Sequence, residues 1–252
     1  ILQVLVILTS FFVMPMATII PSQVWAVALL DEDVLLGESY LNCGQTHSRT
    51  LMQMAQQLLE NCALTPADVT AVACAAGPGS FTGVRIGVAA AKGFAWGREL
   101  PCVGVSTLEA MARQAQCFSG VVCCAMDARR QQVYNALFSC ENGILTRLTP
   151  DRAISLEELD EELKKIEKPK IMVGDGAELC YNTIGKKGFG CVLAPEQLRM
   201  QRASGVALLA RTMLLSGAEA DGAALVPNYL RLSQAERERA ERLRVQKECD
   251  NG

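Results

Sequence analysis

The first twenty residues, ILQVLVILTSFFVMPMATII, carry no charge, and the first cation of the chain is Arg49. After them, apolar and polar positions alternate in two rhythms. Residues 24–30, Val-Trp-Ala-Val-Ala-Leu-Leu, form a continuous apolar run that reads as a strand. Asp31-Glu32-Asp33 supplies a turn, and Val34 to Tyr40 returns as the second arm of a hairpin. From Thr46 to Cys62 the period changes. Leu51, Met54, Ala55, Leu58 and Cys62 fall at helical spacing, and Met52 and Leu59 widen that face. Thr65-Pro66-Ala67-Asp68 has the N-cap and first-position proline of a helix start. Val72 to Ala76 is short and apolar, as a buried parallel strand requires. A helix is predicted from Gly83 to Trp96, with Val84, Val88, Ala91 and Ala95 on one face. The small residues Gly87, Ala89, Ala90 and Gly93 would let another helix approach it closely. Cys102 to Val105 is the next buried strand, and Ser106-Thr107-Leu108-Glu109 reads as a capping box.

The second half echoes the first. Val121–Ala125, Gln132–Ser139 and Ile144–Leu148 read as strands. Ser155-Leu156-Glu157-Glu158 opens a helix carrying Leu156, Leu159, Leu163 and Ile166 on one side. Ile171–Val173 is a strand, and Gly174-Asp175-Gly176-Ala177 turns into a helix. Cys191–Leu193 is a strand, and Ser204–Leu215 a helix. Strands cluster and then alternate with helices, twice over, which predicts a duplicated α/β fold of two mixed-sheet lobes covered by helices. The expected division is 1–109 for the N-terminal lobe, with 1–23 an atypical apolar start, and 110–232 for the C-terminal lobe. The helix near 204–215 is a candidate to pack back between the lobes. Residues 233–252 read as a charged, solvated helical tail.

Composition narrows the chemistry. The 252 residues are 50% hydrophobic and 20% charged, with a net charge of −3, so no broad basic face for unaided nucleic-acid binding is expected. Eleven cysteines occur without metal-ligand spacing, which suggests reduced thiols in a cytoplasmic protein. The single histidine, His47, leaves little scope for histidine-based metal sites. The opening run is long enough to span a bilayer, but it lacks a basic flank and is broken by Gln3, Thr9, Ser10 and Pro15. A buried strand with an apolar extension therefore fits it better than a membrane segment.

The stretch Gly77-Pro78-Gly79-Ser80-Phe81-Thr82-Gly83 lies between a strand and a helix, where backbone N–H groups and the helix dipole welcome an anion. Gly77, Gly79, Ser80, Thr82 and Gly83 are thus the candidate anion- or nucleotide-facing residues. The spacing fits no standard phosphate motif, because Val84 stands where a P-loop needs lysine and the glycines read GxGxxxG. The plain structural reading is a tight turn with an N-cap at Ser80 or Thr82. Arg85, in the first turn of the following helix, is the better placed of the nearby cations for a partner or anion, with Lys92 behind it. Asp127 and Arg129 read as a hairpin ion pair, Asp175 as a turn aspartate, and Trp25 and Trp96 as core or interface.

As a whole, GPGSFTGVRIGVAAAKG resembles the signature of the TsaB (YeaZ) family of bacterial tRNA threonylcarbamoyladenosine biosynthesis proteins, paralogues of TsaD. THSRTLM (46–52), PCVGVSTLEAMA (101–112), MDARRQQVYNALF (126–138), VGDGA (173–177) and PNYLR (227–231) are similar to that family in the same order. The resemblance implies an actin-like ATPase (actin, Hsp70, sugar-kinase) fold. It implies a non-catalytic subunit that homodimerises, pairs with TsaD and recruits the ATPase TsaE, meeting tRNA only within the complex. It implies contact through the first two long helices, hence His47, Leu51, Met54, Ala55, Leu58, Arg85, Val88, Ala91, Lys92 and Ala95. It implies no tightly bound cofactor, with ATP or ADP only at a contact with partner proteins, and no membrane.

Two departures matter. TsaD-type proteins hold a metal through HxxxH on the first helix, whereas this helix offers His47 and then Leu51, so no metal site is expected. The family's first strand ends in Asp-Thr, and counting back from Ala26-Val27-Ala28-Leu29 puts that pair on Ile19-Ile20. The rival readings are a small-molecule kinase or ATPase using the glycine turn, a peptidase, and a membrane-tethered version anchored by Ile1–Ile20.

Overall fold

The computed structural model describes residues 3–9, 24–42, 48–188 and 190–231. The N-terminal lobe begins with β1 (Gln3–Thr9), β2 (Val24–Asp31) and β3 (Val34–Asn42), followed by helix α1 (Ser48–Asn61). Then come β4 (Ala71–Gly77), α2 (Phe81–Trp96), β5 (Cys102–Ser106) and α3 (Thr107–Gln114). The C-terminal lobe contains β6 (Gly120–Arg129), β7 (Gln132–Glu141), β8 (Ile144–Arg147), β9 (Arg152–Ser155) and α4 (Leu156–Lys164). It continues through β10 (Lys170–Val173), α5 (Ala177–Thr183), β11 (Cys191–Leu193), the short α6 (Glu196–Arg199) and α7 (Ala203–Leu215).

The two sheets share one topology. The first has the order β3-β2-β1-β4-β5 and the second β8-β7-β6-β10-β11, with β9 added on β7. Counted from each lobe's own first strand, and with the added β9 left out, both read third, second, first, fourth, fifth. In both, the second strand is antiparallel to the first, and the fourth and fifth are parallel to it. The echo in the sequence is therefore a duplication of the fold itself.

Each sheet is covered on both faces, which is why its strands read as unbroken apolar runs. Along β2, Trp25, Val27 and Leu29 meet α1 and α2, while Val24, Ala26, Ala28 and Leu30 meet α7. Along β6, Val122, Cys124 and Met126 meet α3, while Val121, Cys123 and Ala125 meet α4 and α5. The alternation follows from successive side chains pointing to opposite faces.

The lobes exchange helices. α3 follows the last strand of the first lobe but seats Leu108, Met111 and Ala112 among β6 and β7. α7 follows the last strand of the second lobe but seats Val206, Ala207 and Ala210 on the first sheet. The helix expected to return between the lobes thus covers the second face of the N-terminal sheet, alongside α3. Gly205 allows that approach, since a Cβ there would lie 2.4 Å from the Ala110 carbonyl oxygen.

Each exchanged helix is tied at its N-terminal end to the third strand of the lobe it visits, or just past it. Ser106 accepts from the Glu109 backbone N–H at 3.1 Å, as a capping box requires. The Glu109 carboxylate does not close the box. It accepts from Arg147 of β8 at 2.6 Å, while Arg147 also donates to Asp151 at 2.6 Å and Ser106 donates to Asp151 at 2.6 Å. At the other crossing, Glu38 of β3 accepts from the Ser204 backbone N–H at 3.0 Å, and Arg202 lies 3.8 Å from the same carboxylate.

Other expectations need revising. The helix expected from Thr65 is a single 3-10 turn, Pro66–Asp68, because Val69 is already extended on the way into β4. The second capping box does close, with Ser155 accepting from the Glu158 N–H and Glu158 accepting from the Ser155 N–H, both at 3.1 Å. The first strand is Gln3–Thr9, paired in parallel with β4 through Ile7 and Cys74. It ends at Thr9, so the pair expected at the end of the first strand does not fall on Ile19-Ile20, which lie outside the described residues along with His47 and the tail 233–252. Counting from β2 misplaced the pair because fourteen residues, 10–23, separate the two arms of this hairpin.

Candidate functional site

The glycine turn closes β4 and opens α2. Ser80 is the N-cap, its hydroxyl accepting from the Gly83 N–H at 3.4 Å, so Thr82 is free of that task and exposed. Gly77 has φ +123°, where an L side chain is strained. A Cβ there would also stand 2.5 Å from the Asn228 carbonyl oxygen. The Asn228 N–H in turn donates to the Ala76 carbonyl at 2.6 Å. The close approach that requires this glycine is thus made by the chain's own C-terminal segment.

Residues 220–231 form a strap along α2 and across to the other lobe. The Lys92 ammonium donates to the Ala223 and Leu225 carbonyls, both at 3.1 Å. Tyr229 stacks on Phe81 with ring centroids 4.3 Å apart and accepts from Arg85 Nε at 2.9 Å. The Arg85 guanidinium sits 4.1 Å from the Phe81 ring centroid, within cation–π range. Arg231 reaches the C-terminal lobe and donates to the Ala128 carbonyl. Arg85 and Lys92, expected as partner or anion contacts, both hold the strap, and so does PNYLR, for which no role was expected. The signal available there was an aromatic residue beside a cation, with Phe81 and Arg85 one helical turn apart to receive them.

The C-terminal lobe carries a pair of carboxylates beside the end of β6, where Met126 lies 3.9 Å from a Cβ built at Gly79. Asp127 accepts from the Arg129 N–H at 2.7 Å and forms an ion pair with its guanidinium at 3.4 Å, the expected hairpin pair. Asp175 lies in the turn after β10, pressed onto β6, because a Cβ at Gly176 would lie 2.8 Å from the Asp127 nitrogen. Burial first, and then the Asp127 charge, push the Asp175 carboxyl up to about 6. Its Oδ1 is buried without a hydrogen-bond partner among the described residues.

The strap lies against the first half of the turn, where Gly77 and Pro78 are buried. Asp127 is committed to Arg129. No cluster of three metal-ligating side chains occurs among the described residues.

The expected contact residues divide by exposure. Leu51, Met54, Ala55, Leu58, Val88, Ala91 and Ala95 are all buried in the chain's own core, against β2 and β4. This corrects their assignment to a surface: the wide apolar arc of α1 is what its own sheet and α2 require. The outward face of α1 is polar apart from Met52, with Gln53, Gln56, Gln57 and Glu60 exposed. The outward face of α2 is different. Thr82, Arg85, Ala89, Gly93 and Trp96 recur at helical spacing and are exposed, with Trp96 at 76%. Trp25, by contrast, is core.

Two lobes of matching strand order that exchange their last helices define a duplicated α/β protein of the actin-like ATPase class. The family profile of TsaD, tRNA N6-adenosine threonylcarbamoyltransferase, matches residues 42–239. The tRNA threonylcarbamoyladenosine biosynthesis protein TsaB of Bacillus subtilis is 36% identical over 83% of this chain and 90% of its own length. That of Escherichia coli is 34% identical over 75% of this chain and 82% of its own length. The chain belongs to the TsaB family. A solved structure, YeaZ from Pseudomonas aeruginosa, superposes with a TM-score of 0.70 at 22% identity, covering 91% of this chain and all of that one, which speaks for the fold alone. Among the described residues no helix is long and apolar enough to cross a membrane.

Proposed function

We propose that this chain acts in the synthesis of N6-threonylcarbamoyladenosine in tRNA, as a non-catalytic subunit that homodimerises, pairs with a TsaD-type transferase and recruits a TsaE-type ATPase. The observation that carries this is the glycine turn: the loop that would cradle phosphates is instead packed by Asn228 and flanked by the Phe81–Tyr229 stack. A turn built that way fixes the entry of α2 and leaves the exposed stripe of that helix in one orientation. The partner surface is therefore the outward face of α2 together with the strap, not the apolar arc of α1. The chain holds no nucleotide tightly on its own, and ATP or ADP sits only where partner proteins close over it.

The test is reconstitution of the modification from a TsaD-type transferase, a TsaE-type ATPase, the threonylcarbamoyl-adenylate synthase, ATP, threonine, bicarbonate and tRNA. Modified adenosine is expected only when this chain is added. Modification that proceeds equally without it, or no complex with the transferase on size exclusion, would sink the proposal. The kinase or ATPase alternative predicts ATP turnover by the chain alone.

A further inference from the structure

Cys117 is the one exposed cysteine among the described residues, and Cys140 is buried near the end of β7. The link between α3 and β6 brings them together. Cys140 is the strand partner of Gly120, which lies three residues beyond Cys117. The Cys140 thiol donates to the Gln116 carbonyl at 3.0 Å. In a planar trans peptide that oxygen stands about 2.8 Å from the next Cα, so the Cys140 sulfur lies within about 6 Å of the Cys117 Cα. A disulfide spans Cα atoms about 4.4–6.8 Å apart, so the bridge closes with a side-chain rotation and a small shift of an exposed link.

The link is held in place on either side of Cys117. The Gln116 side-chain amide donates to the Gly143 carbonyl in the turn between β7 and β8. Phe118 packs on the core cluster that contains Cys140, and its ring stands 2.9 Å from a Cβ built at Gly120. Burial first, and then the neighbouring Cys117, push the Cys140 thiol up, so it stays protonated beside a thiol that faces solvent. The other pairs of cysteines are less well placed. Cys123 and Cys124 are adjacent on β6 and point to opposite faces of the sheet. Cys74, Cys102 and Cys180 are buried.

We propose that Cys117 and Cys140 form a reversible intramolecular disulfide, a modification site that fastens the C-terminal end of α3 to β7. The co-reactant is a low-molecular-weight disulfide of the glutathione type. The Cys117 thiolate attacks one sulfur of that disulfide, forming a mixed disulfide and expelling one small thiolate. Cys140 then attacks the Cys117 sulfur, forming the internal bond and expelling the second small thiolate, which takes up the Cys140 proton. Two protein thiols are oxidised, and one small disulfide is reduced to two thiols. The bond completes the seating of an exchanged helix. The N-terminal end of α3 is tied to the lobe it visits through Glu109 and Arg147, and the disulfide ties the other end.

The experiment treats the full folded chain with oxidised glutathione, blocks the remaining thiols with iodoacetamide without reduction, and maps the peptides by tandem mass spectrometry. The expected product is a single chain that has lost two hydrogens, with Cys117 joined to Cys140, and dithiothreitol should restore the starting mass. Cys117→Ser, at an exposed position, should keep the wild-type melt and lose that product. Cys140→Ala keeps the site apolar and should stop the reaction after its first step, with glutathione retained on Cys117. A wild-type chain in which Cys117 stays reduced, keeps its glutathione, or pairs with any other cysteine or with a second copy would overturn the proposal.

Discussion

Asp175 shows how one side chain records the packing around it. Its folded carboxyl, near 6, lies above the ordinary value of 3.8. Between about pH 4 and pH 6 the folded state therefore binds more protons at this site than the unfolded state. The site's contribution to stability falls as pH rises through that window, and the cost is complete above it. The shift corresponds to at most about 2–3 kcal/mol. Asp175→Asn keeps an acceptor for the surrounding N–H groups and removes the charge. The variant should melt above the wild type at pH 7.5, with the difference vanishing by pH 4. A difference that is the same at both pH values would show that the charge is not what burial penalises. The pairing of Asp127 with Arg129 was legible in the sequence, because both lie on one hairpin. The meeting of Asp127 and Asp175 was not, because it depends on Gly174 and Gly176 letting a turn 48 residues further on press against β6.

At the scale of elements, period and capping residues identified most helices and strands, since both rest on neighbours close in sequence. The glycine turn was legible as a tight turn but not in its purpose. A strand–glycine–helix pattern is the same whether the nearby carbonyl belongs to a ligand or to Asn228. Gly77→Ala separates those roles. The added methyl would collide with the Asn228 oxygen at a φ that alanine avoids, so a loss of about 2–4 kcal/mol is expected, or release of the strap. Faster proteolysis at Tyr229 and Arg231 than in the wild type would identify release. A variant with wild-type stability and protection would mean that the strap does not depend on this approach. The same limit explains α1. Its apolar arc of Leu51, Met54, Ala55, Leu58 and Leu59 is wider than one core contact needs, but α1 meets both a sheet and a helix, and all of the arc is buried there. Spacing reveals which residues share a face, not how many layers cover it.

At the scale of the whole molecule, the duplication could be read from the order of predicted elements, but of the exchange of helices only a return of the last one between the lobes was expected, not the crossing of α3. That exchange is held by charges 38 and 166 residues apart in sequence, the Glu109–Arg147 and Glu38–Ser204 contacts. Arg147 is the centre of the first, also lying 4.7 Å over the Phe138 ring. Arg147→Met leaves Glu109 and Asp151 side by side without their cation and should cost about 2–4 kcal/mol in denaturant titration. Adding Asp151→Asn should recover part of the loss. Additive losses from the two changes would show that Arg147 and Asp151 do not act as a unit.

The return of α7 to the first sheet also sets an order of events on the ribosome. The face formed by Val24, Ala26, Ala28, Leu30, Ala73 and Val105 has no cover of its own until residues 203–215 have been made. Vectorial synthesis therefore leaves that sheet face waiting while the second lobe is made, and a product cut short before residue 203 cannot complete its first lobe. The first lobe is thus sealed by a helix made after the second lobe's sheet, so the two halves of the doubled plan are completed as one unit.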